Sequence, residues 1–174
     1  MNDQYEIALA RPHDLRLIAS IELAAAQLLR GHAPETVLNE VTSERVLSDA
    51  QREGRLWVAL AGETAVGFAH VELVEPNAVH IDELDVHPDH GRRGLGTRLV
   101  KAVCAWARAR DLPVTLATFR AVPWNMPFYA RLGFEEIPRA ELSPVLRSVV
   151  EDEARRGLDP ARRVVMRWRS VAVA

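Results

Sequence analysis

One cysteine, Cys104, is present among 174 residues, so no disulfide can close within the chain, and the composition fits a reducing compartment. No apolar stretch approaches the roughly 20 residues that a membrane-spanning helix needs. The N-terminal residues include Asp3 and Glu6 and lack the basic region of a signal peptide. Neither sign of charge is in excess: 22 Lys and Arg face 24 Asp and Glu, a formal net charge of -2. That balance excludes a whole-protein field for nucleic acid or an anionic membrane. There is no repeat, linker or low-complexity tract, and His32, His70, His87 and His90 show no close-spaced metal pattern. The expectation is a cytoplasmic protein with no metal and no nucleic-acid or membrane partner. Monomer and homodimer both stay open.

What is present is an ordinary globular composition, 48% hydrophobic and 26% charged, long enough for one domain over 1–174 with a real core. Cys104 lies in the apolar run Val100 to Ala107 and reads as a small core residue rather than a nucleophile. Arg155, Arg156, Arg162, Arg163, Arg167 and Arg169 alternate with Glu151, Asp152, Glu153 and Asp159, the pattern of a solvated helix face.

Periodicity divides the chain into alternating elements. Tyr5 to Ala10 reads as a strand. Pro12 opens a helix carrying Leu15, Ile18, Ile21, Ala25, Leu28 and Leu29, which Gly31 stops. A second helix is expected from about Pro34 to Arg52, with Val37, Val41 and Leu47 inward and Gly54 after it. Leu56 to Leu60 and Ala65 to Leu73 read as a hairpin, followed by a Pro76-Asn77 turn and a strand over Val79 to Val86. Leu95, Leu99, Val103 and Trp106 then mark a helix ended by Asp111 and Pro113. Val114 to Phe119 is a strand, Met126 to Leu132 a short helix stopped by Gly133, and Phe134 to Ile137 a strand. Leu142 to Arg156 is helical and Arg163 to Arg169 closes as a strand. This order implies an α/β domain on a mixed sheet.

The junction of the Val79 to Val86 strand with the helix beginning near Leu95 is rich in glycine. Backbone N–H groups at such a helix start form a ready site for phosphate. A P-loop is a poor match, because Gly94-Leu95-Gly96-Thr97 lacks its lysine. A dinucleotide fingerprint is also poor: Gly91-x-x-Gly94-x-Gly96 has the reverse spacing and lies mid-chain. A pyrophosphate cradle for an acyl-CoA is the third reading.

Val86-x-Pro88-Asp89-His90-Gly91-Arg92-Arg93-Gly94-Leu95-Gly96-Thr97 resembles the cofactor motif of the GNAT superfamily of acyl-CoA-dependent N-acyltransferases. Asn125-x-Pro127-Phe128-Tyr129-x-x-x-Gly133-Phe134 resembles that superfamily's second signature, one helix and one strand further on. Together they cover about residues 79 to 137. One departure stands out: the family's usual long side chain before the turn is Gly91 here, with Arg92 following, as if the two were transposed. The resemblance implies a mostly antiparallel sheet of six to seven strands flanked by helices, with acyl-CoA at a central strand splay. Backbone N–H groups from Gly91 through Arg92, Arg93, Gly94, Leu95 and Gly96, with Thr97, would hold the pyrophosphate. Leu84, Asp85 and Val86 would pair with the pantetheine arm by strand addition, and Asn125 and Phe128 would flank the cofactor. Capping of the short helix is the other reading of Asn125.

The implied chemistry is acyl transfer to an amine. An amine of pKa about 10.4 costs roughly 4–5 kcal/mol to deprotonate at pH 7, so a proton acceptor is needed, and the departing thiolate benefits from a donor. Tyr129 is the donor candidate, with core packing as its alternative. For the acceptor, Ile81-Asp82-Glu83-Leu84-Asp85-Val86 offers carboxylates; alternation puts Glu83 and Asp85 on one face and Asp82 with Leu84 and Val86 on the other. A bulge in this strand would change that parity. Glu83 is the first choice of base and Asp82 the second; His80, just upstream, reads better as a packed or exposed residue. These acids, with Glu72 and Glu75 nearby, favour a cationic acceptor. Trp124 and Phe119 are wall candidates, whereas Trp57 and Phe68 read as core.

The expected protein is therefore an N-acetyltransferase using acetyl-CoA as co-substrate, acting by direct transfer on a small cationic amine or amine-bearing xenobiotic. A protein N-terminal or lysine acetyltransferase remains open, as does a non-catalytic acyl-CoA-binding regulatory module. The Arg139 to Arg163 segment carries a helix whose purpose the sequence does not state.

Overall fold

A computed structural model of the protein describes residues 4–74 and 78–168. The Pro76-Asn77 turn, Glu75 and Arg169 lie outside the described residues. The strands are β1 (Tyr5–Leu9), β2 (Leu56–Ala61), β3 (Thr64–Val74), β4 (Ala78–Val86), β5 (Val114–Phe119), β6 (Phe134–Glu136) and β7 (Arg163–Trp168). The helices are α1 (Leu15–Ala26), α2 (Glu35–Leu38), α3 (Glu44–Arg52), α4 (Leu95–Arg108), α5 (Asn125–Arg131) and α6 (Pro144–Arg155). The strands form one sheet in the order β1-β2-β3-β4-β5-β7-β6, antiparallel throughout except for the β4–β5 pair. The expected mostly antiparallel sheet has seven strands.

Both faces of the sheet are covered because the strands are apolar on both sides. The α4 stripe of Leu95, Leu99, Val103 and Ala107 packs on Ala59, Val71, Val79 and Ile81. On the opposite face, Ile18 and Ile21 of α1 and Leu47 and Ala50 of α3 cover Val58, Leu60 and Phe68. Trp57 and Phe68 are core residues, as expected. The helix expected in the 139–163 segment is α6, whose Leu146 and Val150 pack with Ile137, Leu142 and Val165.

The single helix expected from Pro34 to Arg52 is instead two, separated by residues 39–43. Two bonds divert the backbone there. Asn39 Nδ2 donates to the Glu35 carbonyl (2.7 Å), and the Thr42 N–H goes to the Glu22 carboxylate of α1 (2.9 Å) rather than into a helical ladder. Ser43 then caps α3 by accepting from the Val46 N–H. Val41, expected inward, is exposed as a result.

Two irregularities in β4 shape everything that follows. Its parallel pairing with β5 runs Val79↔Val114, His80↔Thr115 and Ile81↔Leu116 and stops there, so the strands part beyond Ile81. On its other edge, His70↔Glu83 is followed by Val71↔Ile81, which leaves Asp82 as an extra residue in a β-bulge.

Leu99 is fully buried at the centre of the α4 contact. Leu99→Ala should cost about 2–5 kcal/mol in denaturant-induced unfolding, the range for a buried leucine leaving a cavity; a loss below 1 kcal/mol would contradict this packing.

Candidate active site

The gap between β4 and β5 opens into a cavity of about 1180 Å³ that starts at the glycine turn and runs down the splay. Its first wall is the turn and the start of α4. Gly94 caps the helix in the left-handed region (φ 75°), and the first ladder bond within α4 runs from the Arg98 N–H to the Gly94 carbonyl. The N–H groups of Leu95, Gly96 and Thr97 therefore precede the ladder and are available to a ligand. All three residues line the cavity, as do the exposed Arg92 and Arg93. A Cβ on Gly96 would meet the Phe128 ring at 3.4 Å, so this glycine lets α4 and α5 approach.

The transposed pair has a definite geometry. Gly91 has an ordinary φ of -65°, and its small size matters because a Cβ would lie 3.0 Å from the Pro88 carbonyl oxygen. The left-handed residue is Arg92, with φ 55°. The turn is held from β1, which the sequence did not point to. The Tyr5 hydroxyl and His90 Nδ1 are 3.0 Å apart, the Arg93 guanidinium lies over the Tyr5 ring, and Arg98 donates to the Tyr5 carbonyl (2.9 Å). Only the fold brings residues so far apart in sequence together.

The second wall is β4 itself. Past Ile81 its β5-facing edge has no strand partner, so the backbone of Leu84, Asp85 and Val86 is free for strand addition by an extended ligand. Across the gap stands α5. Asn125 lines the cavity, but its side chain does not cap the helix: the N-cap is Trp124, and Asn125 Nδ2 donates to Thr118 Oγ1 (3.0 Å), tying α5 to β5. Tyr129 lines the cavity and also packs edge-on against Phe128 and Phe134, so its two readings coexist. Burial, then the charges of Asp85 and Glu83, push its phenol above the ordinary range, which keeps it protonated and able to donate.

The carboxylates gather at the far end. Ile81 and Leu84 both pack toward α4 although they are three apart, because the bulge absorbs one residue. Glu83 and Asp85 share a side, as alternation expects. Asp82 is a correction: the bulge takes it off the Leu84 and Val86 face, and it lines the cavity with Glu83 while its Oδ2 lies 3.3 Å from His70 Nδ1. His70 is fully buried, and neither ring nitrogen has a well-aligned hydrogen bond. Burial acts to raise the Asp82 pKa, but His70 outweighs it and the carboxyl stays below its usual value. Glu83 has no hydrogen-bond or ion-pair partner among the described residues. Burial, then Asp85 and Asp82, push it well above the ordinary glutamate value. Asp85, desolvated and near Glu22, is pushed up to about 8. Of the two base candidates, Glu83 has the character of a proton acceptor and Asp82 that of a fixed anion.

Beside Asp82 and Glu83 a second chamber of about 420 Å³ opens toward Glu22, Glu40, Glu72 and His80. His80 is buried, and its Nδ1 lies 2.9 Å from Thr115 Oγ1, which in turn donates to the Val79 carbonyl. The C-terminal arginines are not all a solvated face. Arg163 forms a low-exposure pair with Glu153 (2.7 Å; 9% and 13% exposed) and stacks on Phe119, and Arg156 pairs with Glu40 (3.0 Å). Glu153, Arg156 and Arg163 all line the large cavity, so the 139–163 segment and the start of β7 build part of its wall. Spacing could not reveal this, since the partners lie on other elements. Cys104 is buried in the α4 core, where burial pushes its thiol up to about 12. Among the described residues no group of three or more His, Cys, Asp or Glu is placed to hold a metal ion, and no helix is long and apolar enough to cross a membrane.

One cavity thus joins a phosphate-ready helix start, a strand edge opened by a splay, and an acid cluster beside a protonated phenol. The profile of the Acetyltransferase (GNAT) family matches residues 22–134, and the chain belongs to that family. It is 37% identical over 89 residues to a mycothiol acetyltransferase of Saccharopolyspora erythraea, an alignment covering 50% of this chain and 28% of the relative. It is 32% identical over 158 residues to one of Nocardiopsis dassonvillei, covering 74% of this chain and 47% of that protein. The chain thus spans less than half the length of either relative. Among solved structures, the PaiA N-acetyltransferase of Thermoplasma acidophilum in complex with coenzyme A superposes with a TM-score of 0.69 at 14% identity, covering 95% and 99% of the two chains. The N-acetylglutamate synthase of Neisseria gonorrhoeae superposes at 0.72 and 17% identity, over 97% of this chain and 36% of that one. These likenesses show the fold.

The Tyr5 hydroxyl holds the turn through one hydrogen bond shared with His90 Nδ1. Tyr5→Phe should weaken coenzyme A binding about 2–10-fold in calorimetric titration, the worth of one such bond; unchanged affinity would remove Tyr5 from the cradle.

Proposed function

We propose that the protein transfers an acetyl group from acetyl-CoA directly to the primary amine of a small molecule. The observation that carries this reading is the convergence of Glu83 and Tyr129 on one cavity whose other end is the phosphate-ready turn. Acetyl-CoA supplies the activated acyl group. The N–H groups of Leu95, Gly96 and Thr97, with Arg92 and Arg93, bind its pyrophosphate. The open edge of β4 orients the pantetheine arm, and Phe128 packs beside it.

Glu83 takes the proton from the acceptor ammonium. Its raised pKa matches this work, because a carboxylate pushed upward is a stronger base than an ordinary one. Asp85 shares its burial and charge field, so the two titrate as a pair. Asp82, held ionised by His70, attracts the ammonium. As the C–N bond forms and the C–S bond breaks, Tyr129 gives its proton to the departing thiolate, and the second proton lost by the acylated nitrogen restores the phenol. Cys104, buried and thiol-protonated, supports direct transfer over a covalent acyl-enzyme. A small acceptor is favoured over a protein chain by the Arg156–Glu40 pair, which ties the end of α6 to the 39–43 loop beside the acceptor chamber.

Purified protein mixed with acetyl-CoA and an amine panel should release free thiol only when an amine is present. Tight coenzyme A binding without amine-dependent release would favour a non-catalytic module instead. Because the base must be ionised and its pKa is raised, kcat at saturating amine should climb with pH through neutrality toward about 8, where Asp85 titrates. It should not fall again until above about 10, the ordinary phenol value, since Tyr129 is shifted upward. Glu83→Gln should lower kcat by about 10²-fold or more and abolish that ascending limb. Tyr129→Phe should slow turnover more than it weakens coenzyme A binding; an unchanged rate would take Tyr129 out of the mechanism.

A further inference from the structure

The acceptor end of the large cavity has two unlike arms that meet at Glu83. One is the acidic chamber. The other is apolar: Leu28 and Leu29 just after α1, Val37 of α2, and Trp124 before α5 line the same cavity as Glu83 and Tyr129. Leu28 is 56% exposed and Trp124 48%, large apolar groups open to solvent within one cavity. An exposed leucine or tryptophan alone means little, but two on one cavity wall mark a surface meant to be covered. Trp124 is also positioned, with the His32 ring edge-on to it at 5.8 Å.

The acidic arm is partly paired from within. Glu22 accepts from the Thr42 N–H (2.9 Å) and hydroxyl (3.0 Å), Glu40 pairs with Arg156, Glu153 with Arg163 and Asp152 with Arg155, while Asp82 faces His70. His80 is turned to Thr115, and Glu72 is exposed. Glu83 lines both arms and, like Glu72 and Asp85, has no hydrogen-bond or ion-pair partner among the described residues. An ammonium at Glu83 breaks no existing pair.

We infer that the acceptor is an amine with an apolar, ring-sized body, its ammonium at Glu83 and its body on the shelf of Leu28, Leu29, Val37 and Trp124. This rests on the acetyl-transfer reading for turnover but not for binding. The shelf is continuous with the reacting end of the cavity, so an apolar substituent gains burial there while the amine reaches the acid. A linear diamine gains nothing from the shelf.

The test compares 2-phenylethylamine, ethylamine and 1,4-diaminobutane, by calorimetric binding to the protein saturated with coenzyme A and by thiol release with acetyl-CoA. The aryl amine should bind at least tenfold more tightly than ethylamine and show the highest kcat/KM. Trp124→Ala and Leu28→Asp, both at solvent-open positions that do not threaten folding, should each reduce the aryl-to-ethyl ratio by about tenfold. Binding of the aryl amine with this ratio but no turnover of any amine would sustain the shelf and sink the acetyl-transfer reading. Turnover with an aryl-to-ethyl ratio near one, a preference for the diamine, or a ratio unmoved by both variants would overturn the shelf and leave acetyl transfer standing. Acetylation of a peptide N-terminus in preference to all three amines would also overturn it.

Discussion

Everything at this site depends on the point where β4 and β5 stop pairing. Three residue pairs, ending at Ile81↔Leu116, hold the strands parallel, and beyond them β4 keeps β3 but has no neighbour on its other side. Unpaired backbone in a protein interior is costly unless something bonds to it, so the open edge calls for an extended polar ligand. The same parting of strands makes the cavity, exposes Glu83 and Tyr129 to each other, and aligns the free N–H groups of α4 with the cavity mouth. One missing stretch of ladder creates both a cofactor groove and a reaction chamber.

The bulge at Asp82 does the complementary work for charge. A regular strand would alternate Asp82, Glu83 and Leu84 across the sheet. The extra residue brings Asp82 to the Glu83 side while Leu84 and Val86 still reach the α4 core. Three carboxylates are thus gathered without loss of the apolar face. Their environments then separate them: His70 keeps Asp82 ionised, while burial among like charges raises Glu83 and Asp85. Neighbouring acids pushed apart in pKa can hold different roles at one pH.

Local signals carried much of this. Two glycine-bearing signatures at the right separation, the apolar stripe of α4 and the β2–β3 hairpin are short-range patterns, and they appear in the fold where the sequence places them. Glu83 and Tyr129 were named from the strand and helix they sit on. What was misread involved distant partners. The Pro34–Arg52 helix broke because Glu22 takes the Thr42 N–H. The C-terminal arginines read as solvated because Glu40 and Phe119, which hold Arg156 and Arg163, are far away in sequence. Tyr5 and His70 carried no signal at all.

The sequence by itself determined most of the elements, the glycine turn at the start of α4 and the residue types that can move protons, because periodicity, glycine placement and side-chain chemistry are local properties. The tertiary structure alone decided how the three β4 carboxylates differ in environment, what holds the turn, and that the cavity has an apolar arm beside an acidic chamber. Those depend on a bulge, on burial and on cross-element pairs, and each is a distance between residues that only folding sets.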